Sequence, residues 1–233
     1  MPEGGPPGAR IEPTTADRVR ADGPGSSRLR RYAFVVLIAV ALLVLLRAFV
    51  VQSFVVPTRS MEPALRGGDR VLVLPSAYRF GAVDRGDVIV FDGAGVFEPA
   101  RAPGNDLLAL GRTVVRALGV PVGEHAYVKR VIGLPGERVA CCDAQGRLSV
   151  DGRTLDEPWV VGQPPSRVRF DVVVPEGKLW VLGDNRADSA DSRAHLGDPG
   201  GGAVPVDRIV GKVVTVYWPP SRLGAPGNGE RST

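Results

Sequence analysis

Cysteine, histidine and lysine are all scarce in this chain, and each scarcity narrows what it can do. Only two of the 233 residues are cysteines, Cys141 and Cys142, and they are neighbours. Adjacent cysteines supply neither a disulfide framework nor the spaced ligand pairs of a zinc site. A vicinal disulfide is one reading, though a strained one; two incidental thiols in a turn are the blander reading, and the sequence does not decide between them. Two histidines, His125 and His195, and the absence of a G-x-S-x-G elbow leave little basis for a Ser-His-Asp hydrolase. No metal-ligand cluster is present, and no metal or cofactor is implied. Aromatics make up 6% of the chain and do not alternate with basic residues in a stripe, so the net charge of +4 does not indicate a nucleic-acid partner. Among the 29 basic residues the only lysines are Lys129, Lys178 and Lys212.

Arginine is concentrated near the N-terminus, at Arg10, Arg18, Arg20, Arg28, Arg30 and Arg31, just before an uncharged run, YAFVVLIAVALLVLL, over Tyr32–Leu46. That run is short for a bilayer, which needs about 20 apolar residues. Arg47 near the helix end can snorkel and extend the span toward Val51. A cleaved leader is disfavoured by the long N-terminal segment, by Arg47 and by the lack of a convincing A-x-A site after the run. The expectation is a single-pass anchor over 32–56. The arginine excess places residues 1–31, a disordered tail, in the cytoplasm and everything after Val56 outside it. Residues 219–233 read as a frayed, disordered end.

Between anchor and end, the apolar segments are short, β-branched and separated by Gly, Pro and Asp. They are RVLVL (70–74), DVIVF (87–91), YVKRVIG (127–133), RLSV (147–150), RVRFDVVV (167–174), LWVL (179–182) and RIVGKVVTVYW (208–218). Asp151-Gly152 reads as a hairpin turn. The pattern predicts a mainly β fold, a barrel or sandwich, over 57–218. One stretch, 105–118, instead has helical spacing and could be a surface helix or a membrane-grazing one.

Lys129 lies inside an apolar strand beside Arg130, and alternation should point the two apart. Lysine, unlike arginine, can lose its proton when desolvated. A neutral lysine near a serine hydroxyl is a workable general base; a surface lysine on an edge strand is the competing reading. The stretch GDNRADSADSR (183–193) is either a solvated loop or a charge-paired loop that positions something else, and composition does not decide between them.

Taken together and in order behind the apolar run, PTRSMEPAL (57–65), YVKRVIGLPGERV (127–139) and GDNRADSADSR (183–193) resemble the boxes of bacterial type I signal peptidases. RGDVIVF (85–91) and IVGKVVTVYWP (209–219) are similar to the family's flanking segments, and the resemblance covers roughly 32–219. It implies a membrane-anchored serine endopeptidase that removes signal peptides from exported preproteins. Ser60 would be its nucleophile and Lys129 its general base. Thr58 would join the Ser60 N–H in the oxyanion hole, and Ser189 would orient the lysine amine. Asp184, Asp191, Arg130 and Arg193 would buttress the site, and Met61 would pack beside the nucleophile. A small β insertion, about 140–178, is expected in the catalytic domain. The implied partners are secretory preproteins and the phospholipid of the plasma membrane, with the chain acting as a monomer. The chain departs from the family at Arg59, where a small residue is common. Pointing into the cleft, Arg59 would obstruct substrate or add charge near Lys129; pointing to solvent, it would cost nothing. A Ser-His hydrolase, a self-cleaving Ser-Lys repressor and an anchored, non-catalytic binding module are the alternatives. The anchor and the lack of a DNA-binding segment argue against the repressor.

Overall fold

The computed structural model describes residues 24–49, 51–78, 81–98 and 125–227. The chain divides into two units, 1–41 and 42–233. Helix α1 (Pro24–Phe49) begins on a proline, whose fixed φ suits a first helical turn. It takes in 24–31, which were expected to be tail. Consecutive apolar side chains from Phe34 to Ile38 are all exposed, so the apolar surface runs round the helix rather than along one stripe. Among the described residues no helix is long and apolar enough to cross a membrane. The uncharged run spans only about 22 Å at 1.5 Å per residue, against a hydrocarbon core of about 30 Å.

The second unit is mainly β, as expected. Seven antiparallel strands form one sheet, in the order β1 (Gln52–Val55), β2 (Arg70–Leu74), β11 (Ile209–Trp218), β3 (Val88–Asp92), β4 (Ala126–Gly133), β9 (Lys178–Leu182) and β10 (Val204–Pro205). The insertion forms a second sheet of four: β7 (Arg153–Thr154), β6 (Leu148–Val150), β5 (Arg138–Cys141) and β8 (Phe170–Val173). Asp151 and Gly152 both have positive φ, 50° and 76°, and make the tight turn between β6 and β7. The two cysteines, whose pairing the sequence leaves open, are joined in a disulfide at the end of β5.

Both faces of the large sheet are covered. On β3, Val88 and Val90 enter one core cluster with Met61, Val71 and Val128, while Ile89 and Phe91 enter another with Val131 and Val181. A third cluster, around Ile132, Leu148, Phe170 and Trp180, joins the insertion sheet to β4 and β9. Strands buried on both sides read as unbroken apolar runs, which is why β3, β4 and β9 stand out in the sequence. This double burial lets β4 carry both Lys129 and Arg130 at only 3% and 4% exposure.

Three expectations are corrected. Residues 52–55, assigned to the anchor, pair with β2 as strand β1, because Phe54 and Val56 find apolar partners in the domain core. Residues 219–227 are structured rather than frayed. Gly224 pairs with Val216, and the Arg222 guanidinium binds the buried Asp69 carboxylate and the Pro63 and Ala64 carbonyls. The strand expected over 167–174 shortens to Phe170–Val173. The helix expected at 105–118 lies outside the described residues.

Candidate active site

Ser60 sits in a turn between β1 and β2, with 7% of its surface exposed. The Glu62 N–H donates to Arg59 O and the Leu65 N–H to Met61 O, so the chain coils just after the serine. Met61 and Leu65 anchor this coil in the core. From β4, Lys129 Nζ donates to Ser60 Oγ at 2.8 Å and to Val128 O at 3.1 Å. Burial lowers the Lys129 pKa to about 8, and Arg193 acts in the same sense; Asp191 and Asp184 oppose it. The Thr58 hydroxyl lies 3.2 Å from Ser60 Oγ, and the Ser60 N–H donates to no acceptor among the described residues. Both donors therefore flank the attacking Oγ, where the carbonyl oxygen of a substrate bonded to it would come within their reach.

The loop 183–193 closes on this turn from the other side. The Asn185 N–H donates to Ser60 O at 3.1 Å, and its amide to Arg59 O at 3.2 Å. A Cβ on Gly183 would collide with Ser60 O and Ser189 Oγ, so only glycine allows so close an approach. Two of the buried ion pairs that hold the loop involve its own carboxylates. Arg130 Nε and Nη2 grip Asp184 at 2.8 and 2.6 Å, and Arg193 Nε and Nη2 grip Asp191 at 2.8 and 2.7 Å. Burial pushes the Asp184 carboxyl up, against the opposing pull of Arg130. Burial would raise Asp191 too, but Arg193 and the Gly183 N–H hold it below the usual carboxylate range. Each carboxylate is fully engaged by its guanidinium partner.

The structure brings Ser60, Lys129 and Thr58 together, and Asp184, Asp191 and Arg193 lie on the loop that closes on them, with Arg130 paired to Asp184. Ser189 does not bond Lys129 here: its buried hydroxyl faces the Asp191 carboxyl, which it helps to hold low, without a bond of ordinary geometry. Lys129 spends its donors on Ser60 and its own strand instead. Arg59 points to solvent, its side chain 73% exposed and ion-paired with Glu62 at 3.2 Å. The histidines are occupied elsewhere, His125 with Glu98 and His195 with Asp198. Reading the sequence missed Gly183 and Asn185, although both lie in a segment already singled out. Nothing short of the tertiary contact to Ser60 marks them.

The chain is a serine endopeptidase. The family described as signal peptidase, peptidase S26, matches residues 29–218. Signal peptidase I of Mycobacterium tuberculosis is 39% identical over 225 residues, covering 85% of this chain and 75% of the relative. Probable signal peptidase I of Mycobacterium leprae is 37% identical over 236 residues, covering 87% and 80%. A crystal structure of a signal peptidase I from Enterococcus faecalis aligns with a TM-score of 0.37 and 25% identity, over 57% of this chain and 97% of that one. The chain belongs to the signal peptidase S26 family.

Proposed function

We propose that the protein removes signal peptides from exported preproteins, with Ser60 as nucleophile and Lys129 as general base. The observation that carries this reading is the 2.8 Å bond between a buried lysine amine and a serine hydroxyl. Lys129 takes the Oγ proton as Ser60 attacks the scissile carbonyl, then gives it to the departing amine of the mature protein. A water, deprotonated in turn by Lys129, releases the signal peptide from the acyl-enzyme. Thr58 and the Ser60 N–H stabilise the oxyanion; loss of one such donor typically costs about 10²–10³ in rate. Ser189 borders this centre through Gly183 and is assigned to holding the amine once substrate displaces the resting bonds. The outer edge of β1 has no strand partner among the described residues, which suits an extended substrate segment added to the sheet.

We assign helix α1 to the plasma membrane as the anchor of a monomeric enzyme, with the N-terminus cytoplasmic and the catalytic domain outside, although its uncharged run alone is shorter than the hydrocarbon core. The apolar circumference of α1 and Arg28, Arg30 and Arg31 ahead of its uncharged run support this placement.

A serine-directed acylating probe tests the nucleophile. Labelling should fall on Ser60, and its rate should rise with pH. Below about 8 the Lys129 amine is protonated and the rate should drop about tenfold per pH unit; above it the rate should level off. Properly inserted protein that stays unlabelled would support the binding-module alternative, whose one hint, Arg59, is removed by that side chain facing solvent. The double variant His125→Ala/His195→Ala should cleave a preprotein at close to the wild-type rate, measured in detergent. Loss of turnover would favour a Ser-His enzyme.

A further inference from the structure

Residues 157–166, between β7 and β8, belong to neither sheet, yet they are bonded along their length to the loop that holds the nucleophile. Glu157 pairs with Arg186, at 6% and 1% side-chain exposure. The Trp159 ring lies 4.5 Å from the Arg130 guanidinium. Pro165 O accepts from Arg186 Nη1 at 2.8 Å, and Ser166 Oγ from Arg193 Nη1 at 3.4 Å. Gln163 makes the most directed contact: its Nε2 donates to Asp184 O and its Oε1 accepts the Ala187 N–H, both at 3.0 Å.

Asp184 O and the Ala187 N–H are the two groups that would meet in a tight four-residue turn, and they do not bond each other here; within the turn Asp184 O accepts only the Arg186 N–H. A carboxamide offers a donor and an acceptor side by side, so Gln163 completes the turn from outside. Enclosed in that turn are Asn185, whose N–H holds Ser60 O, and Arg186. A chain of direct contacts thus runs from the insertion through Gln163 and the 184–187 backbone to the nucleophile.

We propose that residues 157–166 are a positioning strap for the active site, and that Gln163 is the residue through which the insertion fixes the 184–187 turn against Ser60. This rests on the assignment of Ser60 and Lys129 as the reacting pair. Gln163 touches no reacting atom; it acts through Asn185 and through the placement of Asp184. Misplacement of a reacting group by about 1 Å can cost about 10²-fold in rate. Burial, the Asp184 and Asp191 carboxylates and the Arg193 guanidinium together set the proton affinity of Lys129, so a loosened loop should also move the acid limb of the pH profile.

The test uses the full chain in detergent. Gln163→Met keeps the bulk and removes both hydrogen bonds, and Gln163→Ala removes the bulk as well. Both should lower kcat at least about tenfold with KM little changed, and should shift the acid limb from its wild-type position. Val173→Ala, an exposed residue of β8 outside the strap, should match wild type in both readouts. The proposal is overturned if Gln163→Met keeps wild-type kcat and pH midpoint. It is equally overturned if activity falls only in step with thermal stability while the pH midpoint stays put. Labelling at Ser60 separates the two layers. A labelled wild type with an unaffected Gln163→Met removes the strap alone, whereas a wild type not labelled at Ser60 removes the reacting pair and the strap with it.

Discussion

Lys129→Arg should be as inactive as Lys129→Ala, although it keeps the positive charge. Only a lysine that can give up its proton will serve as base, and arginine does not deprotonate in proteins. Lys129 sits almost fully buried with its pKa pulled down to about 8, so a useful fraction is neutral near physiological pH. An arginine would present a permanent guanidinium to Ser60 Oγ and leave the hydroxyl without an acceptor for its proton. General-base catalysis is typically worth about 10²–10⁴ in rate, and the expected loss is at least that large. Preprotein cleavage in detergent, compared across wild type, Lys129→Arg and Lys129→Ala, measures it. An arginine variant that cleaves at a near wild-type rate would eliminate lysine as the base. Lys129→Met, of similar length and uncharged, should be inactive but at least as stable as wild type, because the buried amine is replaced by an apolar group.

How legible each feature was in the sequence depended on where its determinants lie. β3, β4 and β9 were readable because their β-branched residues pack on both faces and the flanking Gly, Pro and Asp mark their ends. β1 was not, because VVQSFVV continues the apolar run of the helix, and periodicity cannot separate a short buried strand from a helix extension. β7 and β10, each two residues long, exist only because β6 and β9 offer an edge to pair with. Ser60 and Lys129 were recoverable because ordered boxes carry them. Gln163, Trp159 and Glu157 come from a segment with no regular structure, and their role is set by where the fold lays them. Arg59 is an instructive intermediate: its outward orientation follows from Glu62 three residues on, a local partner that the sequence displays but that gains meaning only once the turn is known.

The second large effect is on stability. Asp184→Ala should destabilise the domain by about 3–5 kcal/mol, because it strands the Arg130 guanidinium in a site where both partners are buried. Arg130 would keep its bond to Gly86 O and its stacking on Trp159, and neither neutralises the charge. For a domain of this size each kcal/mol shifts Tm by about 2–4 °C, so a fall of roughly 10 °C is expected in a thermal melt. An unchanged Tm would show that the pair contributes nothing to the fold. The double variant Arg130→Met/Asp184→Leu should recover much of the loss, since replacing both charges by apolar groups removes the desolvation penalty along with the attraction. Its activity should not recover in step. Asp184 favours the proton on Lys129, so the double variant should keep its acid limb below that of wild type. Stability and chemistry would then separate in one pair of measurements: Tm reports the burial of the ion pair, and the pH midpoint reports its field at the lysine.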